Sequence, residues 1–227
     1  MDLCPFYTVN NLDGQLSAFC DLFTDAEWQD YNYLRTLDKW YGDGPGNNLG
    51  PAQGIGYANE LVARLTDNRT RALTDETNVN HTLDASNATF PLGLALYADF
   101  SHDDPMYSIF TALGLFNVSG AAYPANPSNT TWMSEPDFPY SSAHVVPFAG
   151  RAYFERLTCK LETRGWTRPG WNATVEEDTY VRVLINDAVV PLQNCGANAA
   201  GMCLLEDWVA SLTFAASNGN WAACAKK

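Results

Sequence analysis

Apolar and polar residues recur along this chain with two periods, and the change of period marks out its elements. From Thr24 the pattern is helical. Thr24 or Asp25 serves as cap, Glu27 stands three residues after Thr24, and Trp28, Tyr31, Leu34 and Leu37 form an apolar stripe ending near Gly42-Asp43-Gly44-Pro45-Gly46. A second helix is expected over residues 52–65, with Tyr57, Leu61 and Leu65 on one face, followed to about residue 88 by a segment that reads as mobile. Leu96 to Phe100 is a short apolar run with the signature of a buried strand, after which Ile109, Phe110, Leu113 and Phe116 return to helical spacing. Residues 118–142 read as a surface loop and 165–178 as turn. Strands are expected over 143–148, 152–159 and 180–187, and an amphipathic helix over 205–214. The fold class is therefore α/β, a mixed sheet flanked by helices with a helical subdomain contributed in part by residues 24–65. Residues 1–90 form the helical portion with its loop, and 91–227 the C-terminal part of the α/β domain.

Charge narrows the function classes. A net charge of −13, from 26 acidic against 13 basic residues, argues against nucleic acid and anionic membrane as partners, so an anionic substrate would need a local positive pocket. No apolar run approaches the roughly 20 residues of a membrane span, and the first residues lack a signal-peptide pattern. Six sequons begin at Asn68, Asn80, Asn87, Asn117, Asn129 and Asn172. Together with six cysteines they favour a secreted, extracellular, disulfide-bonded glycoprotein. The cysteine spacings fit no zinc pattern, and neither a metal nor a cofactor is expected.

The candidate chemistry sits where the apolar run meets the helix. His102 lies on that junction, Asp103 or Asp104 is placed to cap the helix, and Pro105 suits its first position. An imidazole, a carboxylate and a helix N-terminus thus converge at a strand end, where open α/β sheets hold anionic ligands. A capped helix beside an incidental histidine is the plain alternative. His144 reads as structural.

Ala98-Asp99-Phe100-Ser101-His102-Asp103, followed by Ala112-Leu113-Gly114-Leu115-Phe116, resembles the second active-site motif of the histidine acid phosphatases, in particular the secreted fungal phytases. The similarity continues through Phe19-Cys20-Asp21-Leu22-Phe23-Thr24, Gly56-Tyr57-Ala58-Asn59-Glu60-Leu61, Val146-Pro147-Phe148-Ala149 and Val181-Arg182-Val183-Leu184-Ile185-Asn186-Asp187, in the family's order. The resemblance implies a histidine-phosphatase-like fold and hydrolysis of phosphomonoesters at acid pH, phytate included, through a phosphohistidine. It implies His102 as a donor to the phosphate, Asp103 as the acid that protonates the leaving alkoxide, and Lys39 and Asp104 as substrate-binding groups. In the family two adjacent lysines line the pocket; here Asp38 replaces the first.

The family's nucleophile is a histidine in Arg-His-Gly-x-Arg, and no Arg-His-Gly occurs among the surroundings of His81, His102 and His144. By the same resemblance Cys4 pairs with Cys20 and Cys195 with Cys203, while Cys159 and Cys224 match cysteines bonded to an N-terminal half. Pairing of those two with each other is the alternative. The expectation is a chain that supplies the general-acid half of a site, with an N-terminal segment of the same precursor as a disulfide-linked partner. Two alternatives stay open: a broad-specificity acid phosphatase with weak phytate activity, and a catalytically inactive secreted glycoprotein of this fold.

Overall fold

Thr24 opens the principal helix of the N-terminal part through a complete capping box: its hydroxyl accepts the Glu27 N–H, and the Glu27 carboxylate accepts the Thr24 N–H at 2.8 Å. The computed structural model describes residues 1–115, 127–128, 130, 141–161 and 176–225. Within them a short helix α1 (Leu3–Val9), held by the expected Cys4–Cys20 disulfide, precedes α2 (Asp25–Gly42). A 3-10 turn, Pro51–Gly54, leads into α3 (Ile55–Thr66). Then come α4 (Thr70–Leu73), α5 (His81–Asp84), α6 (Asp103–Ala112) and α7 (Ser142–Val145). Strands β1 (Ala152–Leu161), β2 (Glu176–Ile185), β3 (Ala188–Val190) and β4 (Cys203–Leu204) precede α8 (Leu205–Ser211) and α9 (Thr213–Ala216).

The four strands form one antiparallel sheet in which β2 is central, paired with β1 from Ala152↔Ile185 to Leu161↔Glu176, with β3, and with β4. Val181, Val183 and Ile185 alternate inward and are buried, whereas Arg182 points outward and donates to its cross-strand partner Glu155 at 2.6 Å. The β2–β3 turn is Asn186-Asp187, both with positive φ (50° and 69°), the twist a two-residue hairpin turn needs.

Helix α6 joins two cores. Tyr107 and Phe110 pack with Tyr33 and Trp40 of α2, Val145 and Ile185. Ala112 and Leu113 pack with Leu61, Val62 and Leu65 of α3, Val181, Val183 and Trp208. The 3-10 turn lies so close to α6 that a Cβ at Gly54 would fall 2.6 Å from Ile109 Cα, so glycine is required there. Burial of these large side chains at roughly 1.5–3 kcal/mol each locks α6 between α2 and the sheet. Its N-terminus is thereby set beside the last turn of α2.

Several expectations change. The buried face of α2 is Tyr33, Thr36, Lys39 and Trp40, while Leu34 is 61% exposed. Thr36 accounts for the rotation: its hydroxyl donates to Asn32 O and accepts the Ser142 N–H at 2.9 Å. Asn32 Oδ1 takes the Ala143 N–H, so α2 side chains start a helical turn over Ser142–Val145 where a strand was expected. His144 is exposed on that turn. Leu212 interrupts the expected 205–214 helix, dividing it into α8 and α9. The segment after α3 is not a loose loop, because Arg69 donates to Asp84 O, Phe90 O and Asn87 Oδ1 and draws α4 and α5 together.

The largest departure concerns the apolar run. Residues 96–102 adopt neither helix nor strand; Leu96 is 80% and Phe100 98% exposed, and none of the described strands pairs with them. A strand needs a neighbour to satisfy its N–H and C=O groups, and among the described residues none lies beside it. Phe116, Asn117, Asn129, Asn172 and most of the expected 118–142 loop and 165–178 turn lie outside the described residues; residues 127, 128, 130, 141 and 142 of the first are described, and 176–178 of the second belong to β2 instead of a turn, paired along β1.

Candidate active site

His102 occupies the N-cap of α6 with φ −136° and ψ 175°, and its carbonyl accepts the Met106 N–H at 3.1 Å. Neither aspartate caps the helix as expected: Asp103 and Asp104 are its first two residues and Pro105 its third, because His102 already closes the first turn through its backbone. Both carboxylates instead face the end of α2. Lys39 Nζ lies 2.5 Å from Asp103 Oδ2 and also contacts Asp104 Oδ1. The lysine side chain is only 10% exposed, whereas Asp103 is half open to solvent. The tertiary structure thus brings together four of the residues singled out in the sequence: His102, Asp103, Asp104 and Lys39.

The electrostatics follow from that contact. Burial alone would raise the Asp103 carboxyl and lower the Lys39 ammonium. Their mutual hydrogen bond and charge outweigh it, so Asp103 is held below the usual carboxylate range and Lys39 above the usual amine range. The Asp103 contribution to stability is therefore present above the ordinary carboxylate pKa and fades as pH falls through the lowered one. The Lys39 contribution is full below the ordinary lysine pKa and fades as pH rises through the raised one. Asp43 joins the cluster unforeseen: burial first, and then the Asp104 charge, push its carboxyl up. Its place in the glycine-rich loop after α2 was the only sequence signal.

Asp38, expected in the pocket beside Lys39, turns to the other side of α2. It is 61% exposed and its Oδ2 lies 3.6 Å from Arg35 Nη1. Adjacent helical residues diverge by about 100°, which separates Asp38 from Lys39.

The expected disulfide Cys195–Cys203 is formed, and Cys159 and Cys224 are free rather than bonded to each other. Asn68, Asn80 and Asn87 are exposed, with Asn80 capping α5.

At the head of α6 the structure thus joins a lysine-bridged pair of aspartates to a histidine at the helix N-terminus. The chain belongs to the histidine phosphatase superfamily (branch 2), whose family model matches residues 1–186. It is 50% identical over 227 residues to Phytase A of Aspergillus terreus, covering 99% of this chain and 44% of that protein. To Phytase A of Arthroderma benhamiae it is 48% identical over 226 residues, covering 99% of this chain and 46% of the relative. The crystal structure of the phytase from D. castellii superposes with a TM-score of 0.55 at 23% identity, covering 90% of this chain and 35% of that one, which is a likeness of fold. The chain thus spans somewhat under half the length of the curated relatives it matches.

The Lys39–Asp103 contact makes a pH prediction for the catalytically competent protein. If Asp103 must be protonated to act, the alkaline limb of kcat/KM follows its pKa. Replacing Lys39 by Met removes the charge that lowers that pKa, so the limb should move to higher pH. A pH–rate profile of the variant whose alkaline limb stays in place, or moves down, would count against the pairing as the source of the shift.

Proposed function

We propose that this chain is the general-acid half of a secreted acid phosphatase that hydrolyses phosphomonoesters, phytate among them, by way of a phosphohistidine formed on an N-terminal segment of the same precursor. The observation that carries the reading is the convergence of His102, Asp103 and Lys39 at the head of α6. His102 donates to a phosphate oxygen and Asp103 delivers the proton that the departing alkoxide needs, which an alkyl leaving group cannot do without. In the free chain Asp103 is kept ionised by Lys39. An arriving phosphate competes for the same ammonium and adds negative charge beside the carboxylate, and both effects raise the Asp103 pKa toward its acid role. Asp104 holds Lys39 from the other side.

The two free cysteines, Cys159 and Cys224, are the points through which the N-terminal segment is linked. Secretion and glycosylation at Asn68, Asn80 and Asn87 agree with the exposure of all three side chains. The other three sequons belong to the same reading.

A second reading has an observation in its favour. Every arginine among the described residues already holds an acceptor in this chain, from Arg35 with Asp2 to Arg182 with Glu155, and Lys39 is matched by two carboxylates. That supply of positive charge suits a singly phosphorylated ester better than a ligand with many phosphates, and favours a broad-specificity acid phosphatase. Comparing kcat/KM for phytate and for glycerol phosphate, on the precursor at acid pH, separates the two. A clear preference for phytate sustains the first reading, the reverse preference selects the second, and hydrolysis of neither sinks both.

A further inference from the structure

Among the described residues no strand pairs with residues 96–102, and the segment that carries His102 to the site is held by side-chain contacts. Helix α3 supplies them. Tyr57 Oη donates to Asp99 Oδ2 at 3.0 Å, and Arg64 Nη1 donates to the same oxygen at 2.5 Å. The Arg64 guanidinium lies over two rings, its Cζ 5.0 Å from the Phe90 centroid and 5.4 Å from that of Tyr97, and the side chain is only 15% exposed. Glu60 closes the group, 3.9 Å from Arg64 Nη2. Burial and then the Asp99 charge push the Tyr57 hydroxyl far up, so it remains a proton donor throughout the working range.

These contacts impose a facing of period two. Tyr97 and Asp99 turn toward α3, while Leu96 and Phe100 stand in solvent. His102 follows Asp99 by three positions on the same segment.

We propose that Tyr57 and Arg64 are positioning residues for the active site: by gripping Asp99 they fix the facing of the segment that delivers His102 and Asp103. The proposal rests on the acid-phosphatase reading for its kinetic consequence but not for its geometry.

The test uses the precursor that contains this chain, with Tyr57→Phe, Asp99→Asn and Arg64→Lys. For Tyr57→Phe and Asp99→Asn, kcat/KM on glycerol phosphate should fall roughly 10-fold or more, as small misplacements of an acid do, while nitrophenyl phosphate loses much less. Arg64→Lys, which keeps the charge on Asp99, should retain more activity than Asp99→Asn. Equal losses on both substrates would reveal a smaller folded fraction instead, and undiminished activity on glycerol phosphate would equally overturn the grip. The NMR signals of the His102 ring separate this proposal from the functional reading. They should shift in Tyr57→Phe, which removes one hydroxyl and keeps the packing, whether or not the precursor is a phosphatase. Unmoved signals overturn the grip, whereas an inactive precursor with shifted signals overturns only the function.

Discussion

Expressed alone, the 227-residue chain is expected to show no phosphomonoester hydrolysis, and activity should return when it is produced together with an N-terminal segment carrying the Arg-His-Gly-x-Arg motif. The chemical reason is that phosphoryl transfer in this superfamily needs an attacking group, and the three histidines here are all outside such a motif. The structural reason is the apolar run at Leu96 and Phe100, which lies open although its composition is that of a core strand. The covalent reason is the proposed link through Cys159 and Cys224, both free in this chain. Rates on nitrophenyl phosphate for the single chain and for the two-part protein would decide it, with reducing and nonreducing mass measurements alongside. Full activity from the single chain would sink both the two-part reading and the phosphohistidine.

Asp103→Asn in the two-part protein is expected to fold normally and to lose roughly 10²-fold or more in turnover of alkyl phosphates, the scale of a missing general acid. Folding should survive because Asp103 is half exposed and Lys39 keeps Asp104 as a counterion. Nitrophenyl phosphate should suffer far less, since nitrophenolate leaves with little need of a proton. Parallel losses on the two substrates would remove Asp103 from the acid role and leave it as a support for Lys39.

How much of this was legible beforehand differs by element. The Thr24–Glu27 box and the strand around Val181 and Val183 are local, each decided by residues a few positions apart. The joining of Lys39 to His102, Asp103 and Asp104 was readable only through resemblance, because Lys39 and His102 lie 63 positions apart and no periodicity reports a contact at that range. Arg64 went unnoticed and Tyr57 was read only as part of an apolar face, although their spacing with Glu60 puts three polar groups on one face of a largely apolar helix. The strand expected at Leu96–Phe100 failed for a different reason: apolar composition expresses a need for cover, and the cover has to come from another segment.

By itself, then, the sequence determined the start of α2, the strand at β2 and, through family resemblance, the two short-range disulfides and the candidate residues at the head of α6. Only the tertiary structure decided which face of α2 is buried, that Lys39 meets Asp103 while Asp38 turns to Arg35, and that α3 holds Asp99. Local elements follow from backbone propensity and nearest neighbours, which the order of residues records directly. The choice of face depends on which distant partner supplies a hydrogen bond or a counterion, as Ser142 does for Thr36 and Asp103 for Lys39, and that partner is defined only once the chain has closed on itself.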